Sequence, residues 1–166
     1  MGTIRDTKYK IVKNFFSQDE VNLLKKYVVI KQRLNITEFD MKQSITKDTY
    51  FYGDPIMESF LLTKFDLMER ETNLELCPTY SYWRMYTKFS DLKKHKDRPS
   101  CEISVTAMIG SDGTPWPIFI GDKEIKLNDG DAVIYLGCEV EHYRNEFQGD
   151  WHAQVFFHYV DKNGGK

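Results

Sequence analysis

Tyr80-Ser-Tyr-Trp-Arg-Met-Tyr86 marks the point where the texture of this chain changes from helical to extended. Its aromatic residues predict a strand. Ile103-Ser-Val-Thr-Ala-Met-Ile109 predicts a second, and Trp116-Pro-Ile-Phe-Ile120 a third, at an edge because of its proline. That strand turns through Gly121-Asp122 into Lys123-Glu-Ile-Lys-Leu127. Asn128-Asp-Gly-Asp131 is a turn signal, followed by the strand Ala132-Val-Ile-Tyr-Leu136. Trp151 to Val160 reads as the longest strand. Short strands at near-regular spacing indicate a sandwich or jelly roll.

Upstream the pattern differs. Tyr9-Lys-Ile-Val-Lys13 alternates like a short strand. Ser17-Gln-Asp-Glu20 is a capping box, in which the Ser hydroxyl caps the helix start and Glu20 reaches back. Val21, Leu24, Tyr27 and Val28 follow at helical spacing. The segment from Leu34 to Tyr52 is polar and mixed, and reads as a loop long enough to serve as a lid. Asp54-Pro55 is an N-cap with proline at the first helical position. It opens an amphipathic helix through Ile56, Phe60, Leu61, Lys64, Leu67 and Met68 to about Glu71. Helices first and strands afterwards predict an α+β domain, with a helical layer buttressing one sheet.

The length, 166 residues, fits one domain with a proper core, divided into residues 1–76 (strand, support helices and the lid) and a strand-rich core at 77–161. Charges are nearly even, 23 basic against 25 acidic, so electrostatics give no reason to expect nucleic acid. Three scattered cysteines, Cys77, Cys101 and Cys138, form no CxxC pair and argue against a disulfide framework. With no apolar stretch of a signal peptide or a membrane span, the expectation is a cytoplasmic protein with no membrane partner.

His95-Lys96-Asp97 carries the chemistry. A His and an Asp two apart on a strand project from one face. His142, opening a later strand after the Gly130-Asp131 turn, can complete a facial set of two imidazoles and one carboxylate. Such a set suits Fe(II) and leaves the opposite positions open; Mn, Co or Ni would also fit the donors. A lone His-x-Asp tripeptide is common, and the distal histidine in a strand-rich context is what gives it meaning.

Tyr86 to Asp97, the Gly130-Asp131 turn, Glu141-His142 and the Gly149 to Tyr159 strand resemble the Fe(II)- and 2-oxoglutarate-dependent dioxygenases, in their prolyl 4-hydroxylase-like branch. The resemblance covers about half the chain. It implies a distorted double-stranded β-helix, a cupin-like jelly roll, with N-terminal supporting helices. It also implies that His95, Asp97 and His142 bind Fe(II), and that 2-oxoglutarate is split while a substrate is hydroxylated, with ascorbate as reductant. The substrate implied is a prolyl side chain of a peptide or protein, with a small molecule as the other option.

The chain departs from that pattern at the anchor for the co-substrate's far carboxylate. The family usually places Arg or Lys on the last strand, where this chain has His152 in Gly149-Asp-Trp-His-Ala-Gln154. Losing a charge-assisted bidentate bond forfeits about 1.5–3 kcal/mol. Candidates to hold the co-substrate are therefore Tyr86, Arg144, which shares the face of His142, His152 and Gln154. By period two, His152, Gln154, Phe156 and His158 would face a cleft, and Trp151, Ala153, Val155 and Phe157 the other layer. The rival expectation is a non-catalytic jelly-roll module that holds a peptide or sugar, its metal site vestigial.

Overall fold

The computed structural model describes residues 2–35 and 48–164. Its elements run α1 (Ile4–Thr7), β1 (Tyr9–Val12), α2 (Gln18–Asn35), β2 (Thr49–Tyr52), α3 (Pro55–Thr63), α4 (Phe65–Thr72), β3 (Leu76–Thr87) and β4 (Leu92–His95). A 3₁₀ turn at Pro99–Cys101 leads into β5 (Ile103–Ser111), β6 (Ile118–Ile120), β7 (Lys123–Ile125), β8 (Ala132–Leu136), β9 (His142–Arg144) and β10 (Trp151–Asp161). A six-stranded sheet has the order β1-β8-β5-β10-β3-β2, and a four-stranded sheet the order β4-β9-β6-β7. The strands pair antiparallel in both.

Alternation along the large sheet builds the layers. Trp83 and Met85 of β3, Val105 and Ile109 of β5, Ile134 of β8 and Val155 and Phe157 of β10 join one buried cluster. Val21, Leu24 and Val28 of α2, Met57 and Leu61 of α3 and Met68 of α4 complete it from the helical side. The face of β10 holding Ala153, Val155 and Phe157 therefore meets the helices, as its apolar character predicts. A second cluster, Val133 and Tyr135 of β8 with Ile118, Ile120 and Ile125, joins the large sheet to the small one. The architecture is α+β, with helices on one face and a jelly roll closed on the other.

Local signals act where the sequence places them. Ser17 Oγ accepts from Glu20 N at 3.2 Å, while Ser17 N donates to Glu20 Oε1 at 2.8 Å. Asp54 Oδ1 accepts from Ile56 N at 3.0 Å, with Pro55 in the first turn of α3. Asp54 Oδ2 also accepts from Tyr27 Oη at 2.5 Å and Trp83 Nε1 at 3.3 Å, so one cap ties two helices to the sheet. Gly130 has φ +87°, and a Cβ there would meet Val21 Cγ2 at 2.8 Å.

Four expectations change, the first being the edge strand: β6 lies between β9 and β7, with Pro117 just before it, where no ladder bond is lost. The helix expected to run from Pro55 to about Glu71 is two helices, with Lys64 between them at φ −86°, ψ 1°. Lys64 Nζ there bonds to Glu20 Oε1 at 2.9 Å, while Leu61 and Met68 on either side both stay in the core. The expected lid falls mainly on residues 36–47, outside the described residues, and Thr49–Tyr52 at its end is a strand paired with β3. Trp151–Asp161, at 11 residues, is shorter than Leu76–Thr87, at 12.

Phe157 is fully buried and packs near Phe15 and Phe16, with ring centres 6.1 and 6.2 Å away. Phe157→Ala should destabilise the protein by about 3–5 kcal/mol, seen as a lower urea midpoint with little change in m-value.

Candidate metal centre

Asp97 lies beyond the end of β4, so it is not the strand neighbour of His95 that the tripeptide suggests. Its backbone is held instead by β8's exit: Asp97 N donates to Gly137 O at 2.7 Å. Gly137 leaves the space the carboxylate needs. A Cβ there would stand 2.3 Å from Cys101 O and 2.5 Å from Asp97 Oδ2. β4 pairs with β9 so that His95 stands opposite His142, their ring centres 4.3 Å apart.

The hydrogen bonds of the two imidazoles decide what the group can bind. A backbone carbonyl only accepts, so each Nδ1 carries a proton: His95 donates to Lys93 O at 2.5 Å, His142 to Val140 O at 3.0 Å. The Nε2 of each ring then faces Asp97 Oδ1, at 3.3 Å from His95 and 3.2 Å from His142. Two lone pairs and a carboxylate oxygen repel one another unless a cation lies among them. A proton can serve, and so can a metal ion, for which carbonyl-oriented imidazoles are the usual support. Ligand atoms of all three residues lie within 4.8 Å of one another. The donor set, two nitrogens and an oxygen, suits Fe(II).

Electrostatics follow the same contacts. The bond to Asp97 raises the His95 imidazole above its usual value, against a smaller effect of burial. Burial pushes the Asp97 carboxyl up, but bonds from His142 and His95 outweigh it and hold it well below the carboxylate range.

A cleft of about 350 Å³ opens on this group. Tyr80, Tyr82, Arg84 and Tyr86 of β3 line it at period two, with Phe156 and His158 of β10. That alternation of polar-tipped residues with the core residues Trp83 and Met85 was available in the sequence as a signal for the cleft wall. Cys101 also lines it, with Sγ 3.1 Å from Tyr80 Oη. With Asp97 and His158 it forms a second group of donor atoms within 4.8 Å. Burial raises the Cys101 thiol and lowers His158 to about 4, while Ser104 Oγ already bonds His158 Nδ1 at 2.8 Å.

The co-substrate candidates separate. Tyr86 lines the cleft. Arg144 is buried behind it, where burial lowers the guanidinium to about 10. His152 lines a different cavity, of about 570 Å³, together with Trp116. Gln154 is buried and joins His152 to Thr106, at 2.9 Å on each side.

No family model matches the chain, and no curated protein does. Solved structures match it in fold. A viral collagen prolyl hydroxylase from Paramecium Bursaria Chlorella virus-1, in complex with 2-oxoglutarate, is 10% identical, with a TM-score of 0.70 over 95% of this chain and 98% of its own. A Pseudomonas putida prolyl-4-hydroxylase is 17% identical, with a TM-score of 0.68 over 94% of each chain. HygX from Streptomyces hygroscopicus, with nickel and 2-oxoglutarate bound, is 12% identical, with a TM-score of 0.71 over 96% of this chain and 85% of its own. These are 2-oxoglutarate oxygenases, and this chain shares their double-stranded β-helix fold.

Gly137→Ala should push Asp97 away from the two histidines and weaken Mn²⁺ or Co²⁺ binding by about 10-fold or more in calorimetry. Binding in the wild type should also weaken as pH falls through the raised His95 pKa, because the proton and the metal compete for Nε2.

Proposed function

We propose that this protein is an Fe(II)- and 2-oxoglutarate-dependent oxygenase that hydroxylates a peptide or protein substrate, with a prolyl side chain as the target. One observation carries the reading. Two imidazoles, each oriented by a backbone carbonyl, aim Nε2 at one oxygen of Asp97 in a cleft wall. A vestigial site in a binding module has no need of that arrangement.

Iron would be held by His95, Asp97 and His142, and when bound with the oxo acid it supplies oxidative decarboxylation to succinate coupled to substrate hydroxylation. The residues around it do the remaining work. His142 is 1% exposed and His95 sits toward the mouth, so the three ligands present one open side to the cleft. Tyr135 and Tyr86, both buried, line its floor and exclude water. Burial raises the phenol pKa of both, so they remain neutral hydrogen-bond donors.

The mouth supports the peptide reading. Tyr52 packs on Tyr82 with ring centres 4.6 Å apart, and on Tyr80 at 6.1 Å. Tyr50 and Tyr52 are exposed, which leaves an aromatic wall beside the metal ligands. Such walls suit extended, proline-containing chains, whose rings stack on aromatic faces without much loss of entropy. The thiols and the even charge balance suit a cytoplasmic setting.

Protein incubated with Fe(II), ascorbate, 2-oxoglutarate and a proline-containing peptide should release succinate. Asp97→Ala should abolish that release while the far-UV circular dichroism stays unchanged. A wild-type protein that fails to bind iron would overturn the reading.

A further inference from the structure

Among the described residues, Arg144 is a buried arginine with no counter-charge. Its exposure is 3%, and among the described residues no carboxylate pairs with it. Nη1 donates to Trp116 O at 2.6 Å, the guanidinium lies 4.8 Å from the Trp116 ring centre, and buried Nε has no acceptor. Two other arginines have carboxylate partners. Arg5 bonds Glu102 and Asp161 at 2.8 Å each, and Arg84 is paired with Asp48. A guanidinium is protonated at any working pH and carries five N–H donors. Burying it without a counter-charge is strongly unfavourable, so the fold leaves an anion to be supplied.

Its place says which anion. Arg144 stands two residues beyond His142 on β9, about 6.6 Å along the strand at the usual rise. The two residues are buried on one face of β9, while Tyr143 stacks on Phe119 with ring centres 4.8 Å apart. Tyr86 and Tyr135, which line the metal cleft, lie close enough to feel its charge. A metal-site histidine and an unpaired cation on one face of one strand suit an acid chelated at one end by the metal and carrying a carboxylate at the other.

His152, the residue at the position where a cation is usual, cannot fill the role. Gln154 donates to Thr106 Oγ1 at 2.9 Å, which turns its Oε1 to His152 Nε2 at 2.9 Å. The His152 proton is therefore on Nε2, and its Nδ1 is a bare acceptor with no partner. Burial, then the charge of Arg144, lowers this imidazole to about 3, so it is neutral. A carboxylate would meet a lone pair there. Arg84 is already occupied, and Lys96 and Arg98 are exposed at the mouth, where solvent screens them.

Building on the proposed function, we infer that Arg144 receives the far carboxylate of the 2-oxo acid, so the anchor has moved from the last strand to the strand of the distal histidine. The site would then select a five-carbon 2-oxo diacid over a 2-oxo acid of the same length without the second carboxylate.

Calorimetry on protein loaded with Mn²⁺ under anaerobic conditions tests this without turnover. Wild type should bind 2-oxoglutarate at least about 10-fold more tightly than 2-oxopentanoate. Arg144→Gln should lose that preference while Mn²⁺ and 2-oxopentanoate affinities hold, and Arg144→Lys, which keeps the charge but not the fork, should fall between. Should Arg144→Gln not fold, an unchanged preference in Arg144→Lys overturns the assignment. So does a preference that survives Arg144→Gln and disappears in His152→Ala. A wild type that binds Mn²⁺ but neither acid overturns the proposed function as well.

Discussion

The two-residue alternation of β8, β5, β10 and β3 is the constraint from which the rest follows. One face of these strands is apolar and takes the helices. The other carries Tyr82, Arg84, Thr106, Gln154 and His158, and is enclosed by the small sheet and the loops around it. A slip of one residue in any central strand would exchange the faces and put polar groups under α2 and α3. Register is therefore fixed by hydrophobic burial on the helical side, and the polar side inherits its geometry from it.

An interior polar face must satisfy its own hydrogen bonds. Ser104 with His158, and Thr106 with Gln154, do so in a row across β5 and β10, and Gln154 also takes the Nε2 of His152. Asp97 with the two opposed histidines does so only if a cation is present. Arg144 does so only if an anion is present. Both shortfalls lie along β9 and the cleft beside it.

Much of the scaffold is legible in local chemistry. The capping box at Ser17, the Asp54-Pro55 start and the turn at Gly130 each act through neighbours a few residues away, so a single sequence contains all their partners. The break at Lys64 is different. Lys64 bonds there to Glu20, which belongs to another helix, and no pattern within 55–71 announces the break. The strand Thr49–Tyr52 carries a strand-prone composition of its own, Thr-Tyr-Phe-Tyr, but it follows a polar stretch and its partner, β3, is distant in sequence.

The site divides along the same line. Sequence alone picked out the candidate ligand set, because His95, Asp97 and His142 stand out by residue type, by spacing and by a strand-rich setting. It also determined the two faces of β10, since alternation is a local property. Tertiary structure decided why Asp97 sits where it does: not from strand geometry shared with His95, but because Gly137, far along the chain, gives it a carbonyl and the space to turn. Tertiary structure also decided which of Arg144 and His152 carries an available charge. That depends on burial and on partners such as Trp116, Thr106 and Gln154, and only the pairing of distant strands brings those together.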